Sequence, residues 1–324
     1  MSQIKRFIYL LLIVALSSVI YSCSTDAGAN NGSSNEMSST EKSTLKEKFN
    51  TSSEWNDYWY KGLAELNLYT VQQGRYRESH QGTAVNIFVT EDFSKSKQVK
   101  LDDPYNAGSD RLPVLKMNQS LKFNTGLYPY SVMLSTFLPI DRNNYPFAVK
   151  MTNSIQEWCG MAFMQGNRMD DKLTLQQFSY FETEGDGEMS FTETFTEDEL
   201  WNLIRLAPEQ LPQGEYAIIP STTYLRFSHR KVQPYKASIS VERGEGTSKL
   251  KLNYPALNRN MEISFTSDFP YTITGWVENY PGFSGSTLTT VAVLDTTIML
   301  DYWNKNSNSD RALRKQLGLP EDWQ

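Results

Sequence analysis

The stretch SIQEWCGMAFMQG (154–166) contains Cys159, the one cysteine of the sequence outside its first 23 residues. A thiolate at this position could act as a nucleophile, with His80 or His229 brought to it by the fold as the general base. Such a pair would suit acyl or peptidyl transfer. Dithiol exchange is excluded, because alanine occupies the position of the second cysteine of a Trp-Cys-Gly-x-Cys redox site. Glu157 would raise the thiol pKa, which argues against a nucleophile.

The same residues are also typical of a protein core. Trp158, Met161, Phe163 and Met164 surround Cys159 in the sequence. Free cysteines in such a setting commonly act as small hydrophobic residues. We therefore favour a buried Cys159 and expect no catalytic residue.

The histidines and one acidic segment were the candidates for metal binding. His80 in RESHQG and His229 in FSHRK are too few for a histidine-rich site, and we expect both to be solvated turn residues. The segment ETEGDGEMS offers Glu184, Asp186 and Glu188 to a hard cation such as calcium. It lacks the spacing of an EF-hand loop, and its Gly-Asp-Gly favours a hairpin turn. The sequence therefore predicts neither a metal nor a cofactor.

Aromatic residues make up 13% of the chain, including seven tryptophans and eighteen tyrosines. Their rings can stack on sugars or line an apolar cavity, although aromatic residues are also common in strands for packing reasons alone. GWVENYPGFSG (275–285) is our candidate for an aromatic loop surface. The ligand-binding residues that we predict are Trp158, Trp276, Tyr280 and Phe283.

The first 22 residues are typical of a signal peptide. Lys5 and Arg6 precede the apolar run FIYLLLIVALSSVI, which is too short for a stable transmembrane helix. The run ends in IYSC, an order that matches the bacterial lipobox, although Tyr21 is bulkier than usual at its position. We expect Cys23 to be acylated and to hold the protein at a membrane of the cell envelope, the outer membrane being our prediction.

Residues 23–50 comprise this cysteine and a segment rich in Ser, Asn, Thr and Gly, which cannot bury enough apolar surface to order itself. A flexible coil of ~27 residues spans about 30 Å, so we interpret the segment as a tether. Loss of the leader changes the formal net charge from −6 to −8. An acidic chain without a basic cluster has no electrostatic attraction to nucleic acid. With Cys23 acylated, one thiol remains and no internal disulfide can form.

The elements that must position these residues are mainly strands. A period of two runs through segments such as TAVNIFVTE (83–91), VLKMNQSLKFN (114–124) and LTLQQFSYFE (173–182). Clusters of Gly, Asp, Asn and Pro separate the segments, as in hairpins and meanders. The same pattern predicts a strand within YAIIPSTTYLRFSH (216–229).

Three helices interrupt the strands. A first short helix is predicted in TSSEWNDYWYKGL, with Thr51 and Glu54 as a capping box. In FTEDELWNLIRLAP, Thr196 and Glu199 form a second capping box ahead of one apolar stripe. The third helix begins at Ser309 in the tail and ends before a glycine.

The fold class that follows is mainly β, with a large, strongly curved antiparallel sheet, or two such sheets, and a few short covering helices. LKFNTGLYPYSVML (121–134) and MEISFTSDFPYTIT (261–274) look alike, as two similar β-lobes would. The lobes would be residues 51–195 and residues 196–324, the second including the capped helix and the C-terminal helix. One continuous domain is the alternative.

IYSC, the tether, EWNDYWYKGLAELNLY, VNIFVTEDFS, KQVKLD and QEWCGMAF together resemble β-rich envelope lipoproteins that are common in Bacteroidota-type bacteria. The resemblance covers most of the chain and implies no particular activity. Such chains sometimes carry the label septum formation inhibitor Maf. True Maf proteins are cytosolic nucleotide pyrophosphatases with an α/β fold and a Ser- and Arg-rich phosphate-binding start, and this sequence shows neither feature. A weaker likeness, to curved-sheet periplasmic carriers of lipid or lipoprotein, concerns architecture alone.

Two functional hypotheses follow. In the first, the chain is a non-enzymatic envelope lipoprotein, held in the membrane through lipid on Cys23, that binds an apolar, glycan or protein partner on a curved sheet. In the second, it is a thiol-dependent enzyme that uses Cys159 with a histidine base. The first is the one we favour.

Overall fold

The computed structural model describes residues 52–282 and 285–321 of the 324-residue chain. The predicted signal peptide, Cys23, the predicted tether and Phe283 lie outside the described residues. The strands in the described part are β1 Ala64–Arg75, β2 Glu78–Ser94, β3 Val99–Lys100, β4 Arg111–Thr125, β5 Tyr128–Pro139, β6 Lys150–Glu157, β7 Gly160–Met169, β8 Lys172–Ser179, β9 Gly187–Thr192, β10 Gly214–Ile218, β11 Tyr235–Arg243, β12 Thr247–Tyr254, β13 Arg259–Thr266, β14 Ile273–Pro281 and β15 Thr287–Leu300.

All of these strands belong to one antiparallel sheet, in the order β10-β11-β12-β13-β14-β15-β1-β2-β4-β5-β6-β7-β8-β9, with β3 beside β2. The first described strand, β1, pairs with the last, β15, so these two strands are neighbours in the middle of the sheet. The sheet is open, and its edges are β9 and β10. The predicted mainly β, antiparallel fold is confirmed. Strands from both sides of residue 196 share this single sheet.

The sheet is strongly curved. Leu134 of β5 and Met261 of β13 line the same pocket. Six steps of the sheet order separate their strands, a distance of about 29 Å if the sheet were flat. The sheet therefore wraps around its inner face, and the large core cluster contains buried residues from strands at both ends of the order.

The α-helices are short: α1 Ser53–Trp59, α2 Leu200–Leu206, α3 Thr222–Phe227 and α4 Ala312–Gln316. The predicted helix near the start of the folded part is present, and its cap is Ser52, whose hydroxyl accepts from the Trp55 N–H at 3.1 Å; Thr51 lies outside the described residues. The tail begins helical structure at Asn308 rather than at Ser309, because Ser307 forms the capping box with Asp310. Gly318, with φ +83°, follows the C-cap as predicted.

Residues 193–213 connect the edge strands β9 and β10, and residues 219–234 connect β10 to β11; we call these two connections together the crossing segment. The predicted capping box of Thr196 and Glu199 is confirmed, with both reciprocal hydrogen bonds present. Leu200, Leu203 and Ile204 of α2 are buried in the main core. The apolar stripe therefore fixes the crossing segment inside the curved sheet.

The strand predicted within residues 216–229 is wrong in its second half. β10 ends at Ile218, and α3 begins at Thr222 after three intervening residues. Tyr224 and Leu225 are both buried although they are adjacent in sequence. A strand would place neighbouring side chains on opposite faces. In the helix, both side chains pack into the core.

Candidate functional site

A pocket lies between the inner face of the sheet and the crossing segment; its cavity volume is about 50 Å³, and the space between its lining atoms, including the part open to solvent, is about 550 Å³. Its polar lining includes Gln73, Gln119, Glu197, Asp198, Arg259 and Glu278. Its aromatic lining includes Trp201, Tyr224, Phe227, Trp276 and Tyr280. We call it the carboxylate pocket. Apolar walls with a few convergent polar groups are the usual composition of a small-molecule site.

Three consecutive acidic residues lead into α2, and all three are buried. Acidic side chains suit a helix N-terminus, but they are almost never fully buried unless they are paired. Glu199 is used in the fold, since it accepts from the Thr196 N–H at 3.1 Å and from the Ala148 N–H at 3.2 Å. Glu197 and Asp198 instead line the carboxylate pocket.

Arg259 is shared between two carboxylates of the pocket. Its Nη1 and Nη2 donate to the two Glu197 oxygens at 2.6 Å, and its Nε donates to Glu278 Oε1 at 2.6 Å. The Tyr254 hydroxyl also donates to Glu197 at 2.6 Å. Burial raises the pKa of Glu278 despite the opposing effect of Arg259. One cation thus serves two acids, and Glu278 keeps 15% of its side chain accessible.

Asp198 has no cationic partner among the described residues. Its Oδ2 accepts from the Thr222 N–H at 3.0 Å and from the Thr222 hydroxyl at 2.7 Å. Its Oδ1 is buried and has no hydrogen-bond partner of ordinary geometry in the part of the chain that the structure describes, although the nearby Ser221 hydroxyl acts to lower the pKa of this carboxyl. Burial, with a smaller contribution from the Glu197 charge, raises the pKa of Asp198 to about 6. A buried acceptor without a donor is rare in native proteins, because it costs free energy.

Strand β14 supplies one wall of the pocket by simple alternation. Trp276, Glu278 and Tyr280 are two residues apart, so they share one face of the strand. The Trp276 ring lies edge-on to Trp201 at 5.1 Å, and the Tyr280 ring lies edge-on to Tyr224 at 5.7 Å. The prediction of an exposed aromatic loop here is wrong, because residues 273–281 form a strand and both rings are buried.

Of the four predicted ligand-binding residues, the structure brings two together. Trp276 and Tyr280 line the carboxylate pocket. Trp158 lies elsewhere, in the turn between β6 and β7, and Phe283 is outside the described residues. The sequence analysis missed Glu197, Asp198 and Arg259. The sequence feature that could have indicated them is the acidic triplet directly before the apolar stripe of α2. Acidic residues in the first turn of a helix are normally solvated.

Cys159 is exposed, so the prediction of a buried core cysteine is wrong. Glu157 pairs with Gly160, which leaves Trp158 and Cys159 as a two-residue hairpin turn at the end of the sheet. The Cys159 N–H donates to Glu157 Oε2 at 2.7 Å. A hydrogen bond from the thiol to Glu157, together with the charge of that carboxylate, raises the pKa of Cys159. The turn therefore keeps the thiol protonated rather than activating it.

The two histidines have separate surroundings. His80 is half-buried in β2, with its ring 6.3 Å from the Phe123 ring, so its assignment to a turn is wrong. The hairpin turn lies earlier, since Arg75 pairs with Glu78. His229 follows α3, where its Nδ1 lies 2.6 Å from Glu184 Oε1.

The acidic segment 182–190 directs its three side chains to different partners. Glu184 pairs with Arg226 at 2.8 Å, Asp186 accepts from the Ser179 N–H at 3.2 Å, and Glu188 accepts from Gln176 at 3.3 Å. Among the residues that the structure describes, no three His, Cys, Asp or Glu side chains come together as a metal ion requires.

The chain was compared with known proteins. No family model matches the sequence, and no curated protein matches it. A solved β-barrel-like protein of domain of unknown function DUF1849 from Brucella abortus is similar at 7% identity, with a TM-score of 0.44, over 73% of this chain and 97% of that one. Within residues 52–282 and 285–321, no helix has the length and apolar character of a membrane span.

Proposed function

We propose that this protein is a lipid-anchored binding protein of the cell envelope, and that its carboxylate pocket takes a small polyhydroxylated ligand such as a saccharide. The anchor is the predicted acylation of Cys23, in the sequence order IYSC. The sequence allows three classes of partner, which are apolar, glycan and protein partners. The lining of the pocket favours the glycan class.

The observation that carries the proposal is Asp198, which lines the pocket and whose buried Oδ1 has no hydrogen-bond partner of ordinary geometry among the described residues. A hydroxyl donor from a ligand would satisfy this oxygen with a charge-assisted hydrogen bond. Glu278, with part of its side chain accessible, is a second acceptor. Buried carboxylates disfavour a purely apolar ligand, since each needs a donor.

The aromatic walls support the same ligand class. Trp276 and Tyr280 flank Glu278 on one strand, so rings and acceptors alternate along the wall. This arrangement matches a sugar, whose ring faces are apolar and whose rim carries hydroxyls. A cationic ligand is less well matched, because the guanidinium of Arg259 already lies over the Tyr224 ring at 4.4 Å.

The thiol-enzyme alternative gains no support from the geometry. Glu157 raises the pKa of Cys159, whereas a nucleophilic thiol requires a lowered one. His229 is engaged with Glu184. We therefore do not propose a thiol-dependent activity.

Isothermal titration tests the pocket, with a panel of mono- and oligosaccharides, an apolar fluorescent dye and an alkylamine as probes. The matched pair is Asp198→Asn in the pocket and Asp295→Asn on the surface, where Asp295 accepts from Thr70 at 2.6 Å. We expect saccharide binding by the wild type and by Asp295→Asn, and at least tenfold weaker binding by Asp198→Asn. Binding of the dye or the amine alone would overturn the proposal, as would equal saccharide binding by all three proteins.

The anchor is tested separately by mass spectrometry of the mature N-terminus and by cell fractionation. We expect an acylated Cys23, and we expect Cys23→Ala to move the protein out of the membrane fraction. An unmodified cysteine in the mature protein would contradict the anchor and leave the pocket unaffected.

A further inference from the structure

One end of the sheet carries exposed apolar side chains on three neighbouring hairpins. Leu127 in the β4–β5 turn is 81% exposed, Trp158 in the β6–β7 turn is 67% exposed, and Tyr180 after β8 is 65% exposed. Met133, Met161 and Phe178 on the adjoining strands are also exposed. We call these six residues the tip surface.

Turn chemistry does not explain these residues. Two-residue hairpin turns favour Asn, Asp and Gly, which tolerate the backbone geometry and remain solvated. The β4–β5 turn follows this rule at Gly126, with φ +62°, and then places Leu127 in solvent. The β6–β7 turn consists of Trp158 and Cys159. Two adjacent turns thus expose large apolar side chains at positions where hairpin turns favour polar residues.

The hairpin turns are in contact with one another. The Tyr128 ring, next to Leu127, lies 6.4 Å from the Trp158 ring. Gly160 lies against Tyr180, so closely that an added Cβ would come within 2.6 Å of the Tyr180 ring. The three hairpins therefore present one continuous apolar area rather than scattered residues.

Outward-facing residues extend this area along the sheet. Met133 pairs with Ser154, Ser154 with Phe163, and Phe163 with Phe178. The Phe163 and Phe178 rings are stacked, with their centroids 6.3 Å apart. A row of this kind across four strands is unusual on a face turned to water.

We propose that the tip surface inserts into the headgroup and acyl-chain boundary of the bilayer that holds the protein's lipid. Trp and Tyr beside Leu and Met are the residues favoured at a membrane interface. The rim carries exposed groups of both signs, with Glu182 and Asp186 in the β8–β9 turn and Arg230 and Lys231 directly after His229, which contacts Glu184 of that turn. Because these acids offset the bases, insertion would depend on apolar burial rather than on anionic lipid, which attracts proteins through several basic residues.

The predicted anchor at Cys23 allows the tip surface to reach the membrane, and in this respect the inference rests on the proposed function. The described chain begins beside α1, whose Trp59 carbonyl accepts from Thr90 at 2.9 Å, far along β2 from the end of the sheet that carries the tip surface. The 17 residues of β2 span at most about 57 Å. The 29 residues from Cys23 to Ser52 reach up to about 100 Å, so the tether can bring the opposite end of the sheet to the same membrane.

Cys159 provides the probe for a direct test. The chain from Ser24 onward contains the whole compact unit of residues 43–324 and a single thiol. An environment-sensitive dye on Cys159 would be titrated with phosphatidylcholine vesicles, with and without phosphatidylglycerol, and quenched by nitroxide lipids of known depth. We expect a blue shift, quenching that is strongest near the headgroups, and affinity that does not rise with the anionic fraction.

The matched variants are triple substitutions at opposite ends of the sheet. Leu127→Ser, Trp158→Ser and Tyr180→Ser together should weaken vesicle binding at least tenfold. Val99→Ser, Tyr105→Ser and Trp303→Ser also remove three exposed apolar side chains and should leave binding unchanged. Thermal unfolding confirms that both triples are folded.

Three results would overturn the inference. The first is a lack of quenching on every vesicle, and the second is an equal loss of vesicle affinity in both triple variants. The third is a dimer in sedimentation velocity that only the first triple variant abolishes, which would make a second copy of the chain the occupant of the tip surface. Because the tested chain lacks Cys23, failure here is independent of the anchor, and the pocket is not altered.

Discussion

Two buried sites of this molecule combine carboxylates with an arginine, and they balance their charges differently. At the first, Arg205 and Glu65 are both fully buried. Arg205 Nη2 donates to Glu65 at 2.6 Å, Asn67 donates to Glu65 at 2.7 Å, and the Tyr58 hydroxyl donates to it as well. Although burial acts to raise it, the pKa of Glu65 is lowered by Arg205 and these donors.

The carboxylate pocket has the opposite balance. Glu197 and Glu278 share Arg259, whereas Asp198 has no cationic partner among the residues that the structure describes and one oxygen without a hydrogen-bond partner of ordinary geometry there. Burial raises the pKa of Asp198 where pairing lowers that of Glu65. The comparison separates a completed ion pair, which serves the fold, from an incomplete set of acceptors, to which we propose that a ligand donates.

The largest effect is expected at the completed pair. Glu65→Gln leaves the guanidinium of Arg205 buried without its counter-charge, which typically costs 3–5 kcal/mol. Glu278→Gln should cost less, because Arg259 keeps both hydrogen bonds to Glu197. Urea unfolding measures both free energies. Equal losses would contradict the distinction between the two sites.

A smaller effect of opposite sign is expected at Asp198. A native pKa of about 6 against an ordinary 3.8 means that the folded state binds the proton more tightly than the unfolded state. The carboxylate therefore destabilises the fold by up to about 3 kcal/mol above pH 6, and this penalty disappears below about pH 4. We expect Asp198→Asn to be more stable than the wild type at pH 7.5 and to lose that advantage as the pH falls to 4. Denaturant unfolding across this range checks it, with Asp295→Asn as the control; a constant difference between the proteins would contradict it.

The smallest effect is expected at Glu157, an acid next to solvent. Glu157→Gln should lower the pH midpoint of Cys159 alkylation, because the hydrogen bond and charge that raise the thiol pKa are removed. Iodoacetamide labelling against pH measures it on the folded chain from Ser24. An unchanged midpoint would show that Glu157 does not control the thiol. A wild-type midpoint well below the ~8.5 of a free thiol would revive the nucleophile hypothesis.

Features set by local sequence were predictable. The alternation in β2, β4 and β8 and the capping box at Thr196 depend on residues within one element, and the structure has both. The prediction that Cys159 is buried is wrong, because apolar neighbours in the sequence do not by themselves indicate a core. The register of Glu157 with Gly160 places the two residues between them in a turn.

The pocket could not be predicted for a different reason. Arg259 and Glu278 lie on the paired strands β13 and β14, whereas Asp198 lies in the crossing segment, which packs inside the curved sheet. The pairing of β1 with β15, which closes the middle of the sheet, joins residues more than 200 positions apart. No local pattern encodes such contacts.

The most direct test of the account is a carbon-13 NMR titration of the Asp198 carboxyl, assigned by comparison with Asp198→Asn, with and without the saccharide that calorimetry identifies. The account predicts a midpoint near pH 6 in the free protein and a lower midpoint in the complex, because a hydroxyl that donates to Oδ1 favours the charged form. A midpoint near 4 in the free protein, or one that the bound saccharide leaves unchanged, would contradict the assignment of this carboxylate as the ligand's acceptor.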